Sequence, residues 1–451
     1  MPALPNHYGF HEQHRRALME KLPDGLILVR ADSETVRNHD VAYLFRQSSD
    51  FLYLTGIEEP DFVLLLDPRR RESVLFVPPV DEKQIVWRGH IPSPSEAARF
   101  YGIRRAHYLG ELPREVTRRR RGYRQVYGNA AGLSLVKPPA SRGLVKKTGP
   151  FREALQELRA VKTPGEIGLL RYANEQSARG HLAAMRAARP GRYEFEVQAD
   201  LEREFRASGM RHEGYPSIVA SGPNSAVLHY QSNNRRMQAG ELLLVDAGGE
   251  YRGYTADITR TFPVSGKFTR RQRDLYEVVL AAQVECISRA RAGITSAELH
   301  IHSLRVLGEG LKDLGFLKGG ISELVEAGAV ALFYPHGLSH MLGLDVHDVT
   351  GGRRRKLRTR GRPVLRFNAK LEPGFVVTVE PGLYFIEALI RSPIRRKKLR
   401  GMVNFALAEK YLDFGGIRIE DDVVIRPSGP PLDLTVVPKA PADVEAACGR
   451  R

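Results

Sequence analysis

The sequence predicts an α/β amino-terminal domain followed by a larger α+β domain, and three observations predict it. Short apolar runs alternate with polar turns and helical stretches over the first 150 residues, a capped helix opens near residue 160, and two strand-like segments 134 residues apart carry the same glycines and an acid. At 451 residues and 42% hydrophobic, the chain has material for two cores of ordinary size. The boundary is placed so that 1–158 and 159–451 form the two domains.

In the first domain GLILVRA (25–31), DFVLLLD (61–67) and SVLFVPP (73–79) read as strands between polar turns. No cluster of ligand-type residues accompanies them. At 161–185 the run VKTPGEIGLLRYANEQSARGHLAAM supplies Thr163 as a cap, Pro164 at the first helical position and Glu166 to close a capping box. The pairs Thr269 with Gln272 and Thr295 with Glu298 predict two further helix starts. Between and after these helices, MQAGELLLVDAG (237–248) and LEPGFVVTVEPG (371–382) share one grammar, a turn ending in Gly, an apolar strand, an acid and a second Gly. Gly240 maps to Gly374 and Asp246 to Glu380. Such a repeat predicts two related halves, each bringing an acid to a pseudo-twofold axis.

The net charge is +17, from 69 Lys and Arg against 52 Asp and Glu, and it gathers at 118–121, 353–362 and 395–400. No zinc finger, RNP-like stretch or basic and aromatic interleaving accompanies it, so a nucleic-acid role is disfavoured and the runs are read as solvated loops. Cys286 and Cys448 offer neither a disulfide framework nor a thiolate cluster. The start PALPNHYGFHEQ has no basic lead into an apolar run, and no stretch approaches the about eighteen apolar residues of a membrane span. These features predict a cytoplasmic protein without membrane contact.

The segment LLLVDAGGEYRGYTADITRTF (242–262) places Asp246 after a doubly apolar strand and Asp257 eleven residues later. A hairpin turning at Tyr251 and Arg252 would set the two carboxylates directly opposite, roughly 5 Å apart at Cβ. Like charges that close repel, and a cation between them removes the conflict. FYPHGLSHMLGLDVHD (333–348) adds His336, His340 and His347, TVEPG adds Glu380 at a strand end, and GGIRIEDD (415–422) places Arg418 and Glu420 on one strand face. Four carboxylates and one imidazole suit a pair of manganese ions, with cobalt, zinc or iron as alternatives. Two such cations about 3.5 Å apart would share a water as nucleophile, which implies hydrolysis at an acyl or phosphoryl centre.

These segments, with GPNSAVLHY (222–230) and RQSSDFLYLTG (46–56), occur in the order found in the aminopeptidase P and prolidase family, which the chain resembles over nearly its whole length. The resemblance implies a pita-bread (creatinase and methionine aminopeptidase-like) catalytic domain behind an aminopeptidase P-like amino-terminal domain. It implies two metal ions held by Asp246, Asp257, His340, Glu380 and Glu420, with Asp257 and Glu420 bridging. It further implies Glu380 as proton shuttle, His229 and His347 as donors to substrate and tetrahedral intermediate, and His336, Tyr384, Arg418 and Trp87 as substrate contacts, Trp87 in the same or a neighbouring subunit. The implied reaction is hydrolysis, by a metal-bridging hydroxide, of the bond between an N-terminal residue and a penultimate proline, in a homodimer or homotetramer.

RQSSDFLYLTG resembles aminopeptidase P, whereas the spacing from His340 to Glu380 and the insertion at 386–414 are similar to prolidase. The arginine runs of the two inserts would then supply positive charge at the cleft mouth for a substrate carboxylate. We read the chain as an Xaa-Pro aminopeptidase. Xaa-Pro dipeptidase is the alternative, and a non-enzymatic nucleic-acid or protein binding module on the same fold is the lesser one. The full set of ligand residues argues against that module and against metal-free creatine hydrolysis, and no phosphate cradle supports a phosphoesterase.

Overall fold

The computed structural model describes residues 9–352, 365–366 and 368–449, and the chain divides into two compact units, Met1–Ala160 and Val161–Arg451. The basic run at 353–362 lies outside the described residues. In the first unit, strands β1 (Gly25–Arg30), β4 (Val63–Asp67), β5 (Glu72–Val77), β6 (Arg105–Tyr108), β7 (Gln125–Gly128) and β8 (Val145–Lys147) form a mixed sheet in the order β6-β5-β4-β1-β7-β8. The hairpin of β2 (Val36–Asn38) and β3 (Val41–Ala42) stands apart from it. The central strands are near-continuous apolar runs because helices cover the sheet; β1 and β4 are buried almost throughout.

The run at 118–121 departs from the solvated-loop reading. It ends the helix Leu112–Arg119, and Arg119 is buried against Asp67 (3.1 Å), Glu72 (2.8 Å) and Glu115 (3.0 Å). Burial of an arginine is tolerable only where carboxylates face it, and this one gathers three.

The second unit opens with the helix Pro164–Ala187, whose Thr163 hydroxyl accepts from the Glu166 N–H while the Glu166 carboxylate accepts from the Thr163 N–H. The same reciprocal box starts the helices Arg270–Arg289 and Ser296–Asp313. Five short strands, β9 (His212–Glu213), β10 (Ile218–Ser221), β11 (Leu242–Asp246), β12 (Gly249–Tyr251) and β13 (Tyr254–Thr255), precede β14 (Thr259–Pro263). The second half supplies β15 (Val376–Val379), β16 (Gly382–Tyr384), β17 (Gly416–Arg418), β18 (Asp421–Val424) and β19 (Leu432–Asp433). β11 pairs antiparallel with β10 and β14, and β15 with β18.

The repeat is visible in the backbone. Gly240 and Gly374 both adopt left-handed φ, 83° and 85°, a conformation that glycine reaches without steric cost. The Val264 N–H bonds to the Glu241 carbonyl in one half and the Ile425 N–H to the Phe375 carbonyl in the other. The halves meet where Thr259 bridges Glu420, with the Glu420 N–H donating to the Thr259 carbonyl at 3.1 Å. An acid-bearing strand end from each half is thereby fixed at the centre of the unit, the arrangement of the pita-bread fold.

The hairpin register differs from the expected one. Asp246 pairs with Thr259 and Tyr251 with Tyr254, so the turn is Arg252–Gly253, both at positive φ (52° and 81°). Two-residue hairpin turns of this kind favour Gly in the second position, which a turn at Tyr251 and Arg252 would lack. The slip is two residues, and side-chain direction alternates with period two, so Asp257 stays on the face of Asp246 as a diagonal neighbour.

The insertion at 386–414 also differs from expectation. Its residues form the short helices Glu387–Ile390, Pro393–Lys398 and Phe405–Glu409, and Ile390, Leu399, Val403, Phe405, Ala408 and Phe414 join the main core of the unit. Within its basic run, Arg396 pairs with Glu409 and lies over Phe405.

A buried ion pair holds the histidine-bearing loop. Lys162 Nζ lies 2.9 Å from Asp348 Oδ2, both side chains 1% exposed, and the Lys162 N–H donates to the Gly374 carbonyl. Substituting Lys162→Met removes the ammonium that faces a buried carboxylate, so the second unit is expected to lose about 3–5 kcal/mol. A lowered urea midpoint followed by circular dichroism checks this.

Candidate active site

Each candidate ligand stands on a strand end or a loop clamped between strands. Asp246 ends β11, Asp257 lies between β13 and β14, Glu380 follows β15, and Glu420 lies between β17 and β18. His340 belongs to the loop after the turn Val330–Leu332, held by its N–H on the Thr378 hydroxyl and by the Thr378 N–H on its own carbonyl. All five line one cavity of about 310 Å³, together with His229, His336, His347, Arg418, Tyr215 and Arg366. None of the cavity lining comes from the insertion at 386–414.

Ligand-type atoms of Asp257, His340 and Glu420 all lie within 4.8 Å of one another. His340 Nε2 is 3.2 Å from Asp257 Oδ2 and 3.7 Å from Glu380 Oε1. The other ring nitrogen, Nδ1, donates to the Met341 carbonyl at 3.0 Å. That bond fixes the tautomer and turns the Nε2 lone pair toward the carboxylates, the second-sphere arrangement of a metal-binding imidazole.

The electrostatics of the donor set also fit a cation. Burial pushes Glu380 up to about 7, with Asp257 and Asp246 adding to the rise against the pull of His340 and Arg418. Burial and the charges of Asp257, Glu380 and Asp246 hold Glu420 far above the usual carboxylate range. Four carboxyl groups so close cannot all ionise without positive charge among them. Arg418 supplies part of it, through its Nη2 bond to Asp246 Oδ2. A single hydroxyl, that of Tyr215, sits 2.6 Å from Oδ1 of both Asp246 and Asp257, and its one proton cannot serve both. The residues present therefore fit divalent cations.

From Arg418 a chain of hydrogen bonds runs through Tyr384 to His336. Arg418 Nη1 donates to the Tyr384 hydroxyl (2.8 Å), which donates to His336 Nε2 (2.9 Å), while His336 Nδ1 donates to the Gly337 carbonyl (2.9 Å). Burial and the Arg418 charge drive His336 down to about 3, so its ring is neutral near pH 7. Tyr384 itself is fully buried behind the wall and acts on the cavity through His336 and Arg418. Burial, His340 and Arg366 lower His347 to about 4, leaving a neutral imidazole edge-on to His340 with centroids 4.5 Å apart.

His229 follows the turn Gly222–Ala226 and reaches the cavity beside Leu228 and Gln231. Trp87 stands on the helix Glu82–Arg88 of the first unit and is 79% exposed. Sequence reasoning missed Tyr215 and Arg366. Tyr215 meets its partners 31 and 42 positions away, and no local pattern marks it. Arg366 follows the run at 353–362, which reads as a group at the cleft mouth and singles out no one residue.

A family model described as metallopeptidase family M24 matches residues 168–427, and one for the aminopeptidase P N-terminal domain matches 11–127. The chain is 37% identical over 452 residues to an Xaa-Pro aminopeptidase of Escherichia coli, covering 96% of each chain. Its structure is similar to that of aminopeptidase PepP from Pseudomonas aeruginosa, with a TM-score of 0.84, 34% identity and 99% of each chain covered. It is also similar to a zinc-substituted E. coli aminopeptidase P in complex with product, with a TM-score of 0.83, 35% identity, and 98% of this chain and 99% of that one covered.

Proposed function

The chain belongs to metallopeptidase family M24, and on that premise we propose that it is an Xaa-Pro aminopeptidase, releasing the first residue of peptides whose second residue is proline. The observation that carries the reading is the convergence of five ligand-type side chains and three histidines on one cavity of about 310 Å³. We assign Asp246, Asp257, His340, Glu380 and Glu420 as ligands. Two divalent cations bound there would supply Lewis acidity, polarising the scissile carbonyl and acidifying a water. Manganese is our choice for an oxygen-rich set with one nitrogen, and zinc and cobalt are the other ions these donors accept.

The protein groups divide the remaining work. Glu380 takes the proton of the attacking water and gives it to the prolyl nitrogen as the C–N bond breaks. His229 and His347 offer N–H donors where negative charge develops on the carbonyl oxygen. A prolyl nitrogen carries no N–H, so substrate must be recognised by shape, and His336, held by Tyr384 and Arg418, forms that wall. We assign Trp87 a further substrate contact. A homo-oligomer and a cytoplasmic setting complete the proposal; Cys286 and Cys448 are both free, and among the described residues no helix is long and apolar enough to cross a membrane.

Hydrolysis of Gly-Pro, Gly-Pro-Pro and a longer Xaa-Pro peptide with manganese tests the reading. Cleavage of the longer peptides at their first bond is expected; cleavage confined to the dipeptide would replace it by Xaa-Pro dipeptidase. One observation favours that second reading, since Arg366 presents a cation in the cavity wall, where a carboxylate directly after proline would meet it. An Arg366→Gln substitution is therefore expected to raise KM for Gly-Pro about tenfold more than KM for the longer peptide. Equal effects on both would detach Arg366 from carboxylate recognition.

A further inference from the structure

We propose that Tyr230 and Glu194 form the positioning pair that aims His229 into the cavity. The inference rests on the role given to His229 above. That histidine is solvent-exposed, and among the described residues none hydrogen-bonds its ring. Its direction must therefore come from its neighbours. Leu228 and Tyr230 pack partly buried against Ile218, Ala220, Leu244 and Tyr384, which gives the segment a floor but leaves rotation about it open.

The polar constraint comes from Glu194, at the start of the helix Glu194–Ala207 and fully buried. Its Oε1 accepts from the Ser221 N–H (2.7 Å), the Ser221 hydroxyl (2.7 Å) and Asn224 Nδ2 (3.4 Å). Its Oε2 accepts from the Tyr230 hydroxyl (2.8 Å) and the Arg235 N–H (2.9 Å). One carboxylate thus grips the segment before, beside and after His229. A buried carboxylate has no water to turn to, so these donors hold it and it holds them. Farther along, Asn233 takes a left-handed φ of 45° and is fixed by the Val219 N–H (3.0 Å), the Ser217 carbonyl (2.8 Å) and Gln198 (2.9 Å).

Of these ties, the Tyr230 hydroxyl is the one adjacent to His229, and it can be removed alone. Among the described residues its only other partner is Asn234 Oδ1, at 3.4 Å. In Tyr230→Phe the ring still fills its place and Glu194 keeps four donors. The fold is expected to survive, with Tm lowered by no more than about 4 °C and manganese content unchanged.

The test is a double-mutant cycle with His229→Ala, read as kcat/KM on Gly-Pro-Pro. Tyr230→Phe is expected to cost about tenfold, part of the hundredfold that a misplacement of 1 Å can cause. In the His229→Ala background the same change should cost less than about twofold, because the histidine it aims is gone. Full activity in Tyr230→Phe, or an equal loss in both backgrounds, would overturn the proposal. Full activity in His229→Ala alone would instead remove the role of His229 on which the proposal stands. Glu194→Gln is a harsher second variant, since its amide keeps only one acceptor oxygen and sets an NH2 donor against the donors that Glu194 meets at its other oxygen; its loss should likewise vanish in the His229→Ala background.

Discussion

Asp257→Asn is expected to lower kcat/KM on Xaa-Pro peptides by on the order of 10³-fold or more, because it removes the cation-dependent share of catalysis. Asparagine keeps the volume of aspartate and loses its charge. Asp257 stands between Tyr215 (2.6 Å) and His340 (3.2 Å), and its N–H is fixed by Asp422 Oδ2 at 2.9 Å. The packing therefore tolerates the substitution while the donor set does not. Its stability signature should run opposite to its activity. Asp257 is the leading charge that pushes up the buried Glu420 carboxyl, after burial itself, so without metal the variant is expected to unfold at the same urea concentration as the parent or a higher one. Added manganese should raise the midpoint of the parent by mass action and leave the variant nearly unmoved. Denaturation curves with and without manganese, beside metal content and rates, make the comparison. A variant that keeps both the manganese shift and the activity would remove Asp257 from the metal site.

What the sequence made legible was local. The three capping boxes needed only residues three apart, and each formed as read. The strand Leu242–Asp246 was legible from its unbroken apolar run and is buried along its whole length. The register of the following hairpin was within reach too: Gly253 marks the turn, and weighing turn chemistry over symmetry of the two aspartates would have set it. The insertion at 386–414 misled because its charges are conspicuous, whereas Ile390, Leu399, Val403 and Phe405 were the informative residues, each packed into the core. The supports of the site were not legible at all. Asn174 Nδ2 reaches Asp422 Oδ2 across 248 positions and Thr259 reaches Glu420 across 161, and no spacing rule links residues that only the assembled halves bring together.

Glu380→Gln separates proton transfer from the rest of the site. The Glu380 backbone N–H is held by the Leu338 carbonyl at 2.9 Å, and its carboxylate oxygens face His340 Nε2 at 3.7 Å and His336 Nδ1 at 3.4 Å. Glutamine can occupy the same space and still offer one oxygen, but it can neither take a proton from water nor deliver one to the prolyl nitrogen. The expected result is a fall in kcat of about 10²- to 10⁴-fold, the range of a lost general acid–base group, with KM changed far less. The pH profile supplies a second sign. A base works only when deprotonated, so activity of the parent should rise with pH through an acid limb, and a nearby cation should place that limb below the value of about 7 to which burial pushes Glu380 in the metal-free chain. In the variant the residual activity should lose that limb. Rates are to be expressed per bound manganese, since Glu380 is also assigned as a ligand. An acid limb unchanged in the variant would assign the proton to another group lining the cavity, such as His347.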